Sequence, residues 1–523
     1  MSTHLTSPTP EATPPIIATQ NYLRADWPKT LTATIAKAHT IPGDLILIPF
    51  CDSPTPISEL YQAGGKVLVA GQDPLSPLLL EAQLTTIERD AFTDTFIRLG
   101  DSLKGGQPLR QYIENLYQTT CPDCQTVLTA DYFVWQRDLA DPQQKWLRCA
   151  ACGFVGLSDV IQADLQRFDQ IETRGIHYHF LLGRTVSPHS ASDPFLYTKF
   201  EAWHELYTPR ALYAIAEIIM KIEVVISDKA IQKVFKAILL NCLLPASNLL
   251  NPTHPIHLPH HLRPPAQFVE YNLWRLFEIA IAAWKFPDHP TRITSQLTEF
   301  LERRQNSVHF FADEAVHLRR YLKDETVSLL VTRPPGPNPV VWALSALWAG
   351  WLLGLKAAQS GYELLKQKRP DWIWYQEHLI KMLRVLRPTM KPAARWVFIF
   401  TPAHRLHPPT IVLAALRTRF EVDSWEITPT YHQLTLTLPA AETPARVSSS
   451  ALEAAIQIEL KDTIAAFLGR QGRPESAHPV MWAAWQSLLY SGLLAQALAS
   501  LPNRQLLTWL DKQIQQAILD FGF

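Results

Sequence analysis

The run PGDLILIPFCDSPTPISELYQAGGKVLVAGQDPLS (42–76) decides the fold. Leu45–Phe50 is a short apolar segment that ends in a loop, and Ile57–Ala63 has the spacing of a helix. Gly64-Gly65 breaks that helix, Lys66–Ala70 is a second apolar run, and a further helix starts at Leu75. Strand, helix, strand, helix is the opening of a doubly wound α/β sheet, whose buried strands read as continuous apolar runs rather than alternating ones.

Outward from this segment, strand signals stop and resume only at Val308–Ala312, Val327–Thr332 and Trp396–Thr401. Helices Val340–Ala357 and Trp372–Leu386 lie between the last two, and Phe420–Ile427 with His432–Leu438 reads as a closing antiparallel hairpin. The intervening block carries helices near Ala211–Val225, Ala230–Leu244 and Phe268–Trp284, and the chain turns helical again after Ser448. The expected division is a disordered Ser/Thr/Pro-rich lead-in (1–19), a first half-sheet (20–110), a zinc ribbon (111–160), a helical insertion (161–300), a second half-sheet (301–440) and a C-terminal helical domain (441–523).

The zinc assignment comes from CPDC (121–124) and CAAC (149–152). Each Cys-x-x-Cys turn presents two thiolates on one side, and two such turns complete a tetrahedral site at a Zn–S distance of about 2.3 Å. Four thiolates, Cys121, Cys124, Cys149 and Cys152, leave no open position, so the expected Zn²⁺ is structural and does not activate water. Cys51 and Cys242 are isolated and read as small buried hydrophobes. This cysteine usage fits a reducing cytoplasm better than a disulfide framework.

Composition narrows the partners. Lys plus Arg equals Asp plus Glu, 48 against 48, so no global basic field exists to capture nucleic acid. Arg303-Arg304, Arg319-Arg320 and Lys366–Arg369 are short basic clusters that read as solvated helix faces or as local backbone contacts for DNA or RNA. The most apolar run, Val340–Leu355, has 16 residues, short of the ~20 a bilayer span needs. Its Trp342, Trp348 and Trp351 suit a buried helix, and no membrane partner is expected. His257, His260 and His261 stand in a proline-rich loop without spaced carboxylates or cysteines, a poor second metal site.

Several segments together resemble one family. PGDLILIPFCDSPTPISEL (42–60) resembles the first strand, cofactor loop and helix of DNA adenine and cytosine amino-methyltransferases, and KVLVAGQDPLS (66–76) resembles their second-strand motif. LYTPRALYAI (206–215) resembles a segment of the zinc-ribbon-bearing members, and Trp203 and Tyr207 lie where that family packs its cofactor pocket. VSLLVTRPPGPNPVVWALSALWAGWLLG (327–354) resembles the catalytic strand and its helix, and LIKMLRVLRPTMKPAARWVFIFT (379–401) the helix and strand that follow. The likeness runs in register from about residue 40 to 440. It implies a Rossmann-like methyltransferase sheet, mostly parallel with a closing antiparallel hairpin, interrupted by a zinc ribbon and helices.

The resemblance also implies where function would sit. The cofactor loop maps to Pro49, Phe50, Asp52, Ser53 and Thr55, the ribose ligand to Gly71 with Asp73 close by, and the (Asp/Asn)-Pro-Pro-(Tyr/Phe) motif to Thr332, Arg333, Pro334, Pro335 and Gly336. This sequence departs at each point. Ile48 replaces an acid, Asp52 and Pro54 replace glycines, Gly71 replaces the ribose acceptor, Arg333 replaces the amino-group acceptor and Gly336 the stacking ring. Arginine accepts no hydrogen bond, and a proline removes a backbone N–H and fixes φ. The expectation is a catalytically inactive DNA methyltransferase-like protein that does not use S-adenosylmethionine and acts as a nucleic-acid-binding or partner-binding scaffold, its candidate partners being DNA, RNA and an active methyltransferase paralogue or other protein. The alternatives are a working S-adenosylmethionine-dependent methyltransferase on DNA or RNA with substituted residues, and a binder of another small ligand in the old cofactor site. Arg333 itself reads either as an anion clamp or as the partner of a neighbouring acid.

Overall fold

A computed structural model describes residues 27–71, 73, 75–173, 179–185, 203–250, 262–365, 371–402, 404–438, 446–472, 474, 476–501 and 506–522. The lead-in 1–19, the histidines 257, 260 and 261 and the cluster Lys366–Arg369 lie outside the described residues.

A mostly parallel seven-stranded sheet organises the chain. Its strands are β1 (Leu45–Ile48), β2 (Lys66–Ala70), β3 (Ser307–Phe311), β4 (Val327–Thr332), β5 (Met390–Phe400), β6 (Glu421–Ile427) and β7 (His432–Thr437). The spatial order is β3-β2-β1-β4-β5-β7-β6. β1 pairs in parallel with both β2 and β4, so the two distant halves of the sequence meet along one ladder. β7 runs antiparallel to β5 and to β6, closing the sheet with the hairpin.

Both faces of this sheet are covered, which is why β1 reads as an unbroken apolar run. Ile46 and Ile48 face one core with Trp27, Ile35 and Ile57. Leu45 and Leu47 face another, built with the helices Trp372–Leu386 and His407–Arg417 and with the C-terminal helices from Ser449 onward. A third core holds the helices Pro209–Val225, Lys229–Leu243 and Leu273–Ala282 together with Pro339–Leu353.

Three sequence expectations need correction. Strands do not stop between the half-sheets: Tyr132–Gln136, Gln144–Arg148, Val155–Asp159 and Gln267–Tyr271 form an antiparallel four-stranded sheet, and Gln118–Thr120 pairs with Val127–Thr129. The expected helix Phe268–Trp284 therefore begins as a strand. Asn272 ends that strand and caps the shorter helix Leu273–Ala282, its side chain accepting from Trp274 and Arg275 N–H groups. The expected helix Val340–Ala357 is two helices, Pro339–Leu353 and Leu355–Leu365, broken at Gly354 with φ 100°, a conformation that suits glycine.

Candidate functional site

The cysteines come together from two equivalent turns. In the first, Cys121 N–H donates to Thr126 O and Gln125 N–H to Cys121 O. In the second, Cys149 N–H donates to Phe154 O and Gly153 N–H to Cys149 O. Gln125 and Gly153 both have positive φ, 56° and 82°, at the residue after the second cysteine of each pair. Cys121 and Cys149 are buried against Leu147, with Leu128 and Phe154 packed alongside, while Cys124 and Cys152 are exposed.

The Sγ atoms of Cys121 and Cys152 are 3.5 Å apart, as are those of Cys124 and Cys149. All four sulfurs lie within 4.8 Å of one another, a cluster compatible with a structural metal. Tetrahedral coordination at a metal–sulfur distance of 2.3 Å would require sulfurs about 3.8 Å apart. The thiols do not share charge equally. Hydrogen bonds from Thr126 pull Cys124 down to about 6. The Phe154 backbone bond favours the Cys152 thiolate, yet burial and the three neighbouring cysteines push it up to about 12. A bound cation removes that conflict by neutralising several thiolates at once. None of the six cysteines is joined in a disulfide.

The second group of sequence-selected residues lies at the carboxyl ends of β1 and β4. Phe50 N–H donates to Thr332 Oγ1, Thr332 Oγ1 donates to Phe50 O, and Arg333 N–H donates to Phe50 O at 3.2 Å. These bonds join the two loops directly. Pro49, Phe50 and Ser53 are buried, as are Thr332, Arg333 and Pro334, whereas Pro335 is exposed.

Arg333 turns inward. Its side chain is 5% exposed, its Nη1 stands 3.4 Å from Asp52 Oδ2, and its guanidinium lies 4.4 Å from the Trp27 ring centroid. Two residues singled out by the resemblance, one from each loop, thus pair with one another. Trp27 precedes the helix Leu31–His39, and nothing in the sequence marked it for this role. Pro54 does not distort the loop as expected. It occupies the first turn of the helix Pro54–Gln62, where no N–H is needed, and Ser53 caps that helix by accepting from Thr55 N–H.

Asp73, which the resemblance set close to the expected ribose ligand, is already used within the protein. Its Oδ1 accepts from Leu75 N–H and from Ser345 Oγ at 2.7 Å, and its Oδ2 accepts from Ser76 Oγ. Desolvation pushes its carboxyl pKa up despite these bonds. It ties β2 to the helix that follows β4.

Other selected residues serve packing. Tyr207 OH donates to Leu243 O and accepts from Trp348 Nε1, and Trp351 Nε1 donates to Thr185 Oγ1. Thr208 caps its helix and Arg210 donates two buried hydrogen bonds to Glu270. Arg303 pairs with Glu299 and Arg319 with Asp324. His407, which sequence reading missed, is buried among Trp372, Tyr375 and Phe400. Desolvation lowers it to about 4, against the smaller opposing pull of the Pro334 backbone.

Fold and site together define an α/β protein with a large, mostly parallel sheet and a four-cysteine cluster compatible with a structural metal. No family model matches the chain, and searches of curated proteins and of solved structures find no match either. Among the described residues no helix is long and apolar enough to cross a membrane.

Proposed function

We propose that this chain is a catalytically inactive relative of the DNA amino-methyltransferases, a Rossmann-like methyltransferase sheet carrying a zinc ribbon, which acts as a nucleic-acid-binding or protein-binding scaffold. The observation that carries the reading is the contact of Arg333 with Asp52 and Trp27 across the ends of β1 and β4. The carboxyl ends of strands beside a topological switch are where open α/β sheets bind their ligands. In this chain a cation, an acid and an indole from three segments hold one another there.

The chemistry argues in the same direction. Methylating an exocyclic amino group needs an acceptor for its hydrogen bonds and a ring to stack the extruded base. Arg333 supplies no acceptor, Gly336 no ring, and its positive charge repels a sulfonium cofactor. Asp73 is a poor stand-in for the ribose ligand, because Leu75, Ser76 and Ser345 already engage three of its acceptor sites within the protein.

The strand order β3-β2-β1-β4-β5-β7-β6 supports the family reading, since it keeps a switch point between β1 and β4 and ends in an antiparallel hairpin. The metal we assign is Zn²⁺, held by Cys121, Cys124, Cys149 and Cys152; four thiolates close its coordination and confine it to a structural part. Six cysteines without a disulfide among them suit a reducing compartment such as the cytoplasm.

Isothermal titration of the full chain with S-adenosylmethionine and S-adenosylhomocysteine tests the central claim. No binding heat is expected from either compound at millimolar concentration. Transfer of a radiolabelled methyl group from S-adenosylmethionine to DNA or RNA by the purified protein would overturn the proposal and leave the active-enzyme reading standing.

A further inference from the structure

A cavity of about 590 Å³ lies among the helices Trp372–Leu386, His407–Arg417 and Leu493–Ser500. Its place is the end of the sheet opposite to the Arg333–Asp52 contact, since Arg384 sits in the last turn before β5 begins and Arg417 in the last turn before β6. Lys381, Arg384 and Arg417 line it with one acid, Glu377, over an apolar floor that includes Ile380 and Leu498. Lys381 and Arg384 are three residues apart on one helix and so project to the same side. Both are exposed, while Arg417 is half-buried.

From this geometry we propose that the cavity binds a small phosphate-bearing ligand, its anionic head held by Lys381, Arg384 and Arg417 and its body resting on Ile380 and Leu498. The volume is that of an ordinary small-molecule site. Two guanidinium groups and an ammonium at one mouth match a phosphate dianion, which arginine grips in bidentate fashion. The charge is local, because the chain as a whole carries equal numbers of acids and bases. The two arginines also oppose each other. Burial lowers the Arg417 pKa, Glu377 raises it, and Arg384 lowers it again. Glu377 offsets part of that repulsion, and a bound dianion would offset the rest. A role limited to complementing the two helix dipoles would account for Arg384 and Arg417 in their last turns, but not for Lys381 or the concave apolar floor.

The test is isothermal titration of the full chain with inorganic phosphate, adenosine 5′-monophosphate and adenosine. Phosphate or the nucleotide is expected to bind and adenosine is not; comparing the first two tells a free phosphate from an esterified one. Arg384→Gln should weaken that binding about tenfold or more, the loss typical of one charge-assisted partner. Glu377→Gln should tighten it, because it removes the competing carboxylate, a response that a purely structural arginine pair would not give. Lys381 and Arg384 are exposed, so their Gln variants should melt like the parent by circular dichroism. Failure of both phosphate compounds to bind overturns the proposal, as does binding unchanged in the Lys381→Gln/Arg384→Gln double variant. Binding of a short single-stranded oligonucleotide, lost in that variant while the mononucleotide never binds, would also overturn it and turn the surface into a nucleic-acid contact.

Discussion

Glu270→Gln should destabilise the protein by about 3 kcal/mol, near the lower end of what breaking a buried ion pair costs. Glu270 is 1% exposed and its carboxylate meets four donors: Arg210 Nε at 2.8 Å, Arg210 Nη2 at 2.6 Å, Thr208 Oγ1 at 2.7 Å and Trp135 Nε1 at 2.9 Å. Arg210, 2% exposed, has among the described residues only one other hydrogen-bond acceptor, the Leu116 carbonyl at 3.2 Å. A neutral amide leaves the guanidinium as a buried charge without a counter-ion. The rings of Phe133, Tyr117 and Phe168, at 4.1, 4.8 and 5.6 Å, return part of that loss, each worth roughly 0.5–2 kcal/mol, which is why the lower end is chosen. Arg210→Met should cost less, since a stranded carboxyl can take up a proton and keep its Thr208 and Trp135 donors. The double variant should fall short of the sum of the singles by about 2 kcal/mol, as residues sharing one network do. Urea titration followed by tryptophan fluorescence and circular dichroism measures all three. A Glu270→Gln variant within 1 kcal/mol of the parent would refute the reasoning, because it would mean that water already screens the pair.

Other outcomes follow from single features. His407 and His432, 2% and 3% exposed, are both lowered to about 4 by desolvation. The unfolded chain then binds more protons than the native one below about pH 6.5, so stability falls as pH drops from about 6.5 towards 4, by about 2 kcal/mol per histidine between pH 7 and 5. Urea midpoints at the two pH values check this, and His407→Phe should flatten the dependence. Gly350→Ala should be among the most damaging substitutions, since its added Cβ would stand 2.1 Å from the Arg184 carbonyl; the same titration should show a loss of about 2 kcal/mol or more. Dialysis against a strong chelator should remove one metal per chain, read by atomic absorption, and Cys149→Ser should prevent its retention while leaving the phosphate-compound titration unchanged.

The sheet was legible because its strands are buried on both faces. LILI (45–48) and VSLLVT (327–332) have no polar alternation to confuse with a surface helix, and each is followed by a proline-bearing loop. The strands of the small sheet were not, since VGLSD (155–159) and QKWLR (144–148) are half-exposed and carry only one or two apolar residues on a face. QFVEY (267–271) ran into the apolar helix behind it, and only Asn272, a cap, marked the boundary. The cysteine cluster could be read from spacing alone, because two Cys-x-x-Cys turns specify the local backbone as well as the ligands. The partners of Arg333 and Asp73 could not. Trp27 and Ser345 reach them only through tertiary packing, and neither carries a local signature.

The β1–β4 ladder also dictates an order of events during synthesis. Thr332 bonds to Phe50 across 282 residues of chain. At roughly 5–20 residues per second of translation, β1 and β2 emerge some 15–55 s before β4 exists to pair with them. During that interval two largely apolar strands stand with the β4 edge of β1 uncovered, and unpaired apolar strand edges recruit other chains. The cysteine cluster has all its residues available earlier, whereas the helices between the halves still wait for Pro339–Leu353, with which they share a core. A nascent chain that arrests before residue 327 should therefore hold a formed cysteine cluster beside exposed apolar surfaces. Chaperone demand during its production should follow the length of this insertion and not the stability of the finished protein.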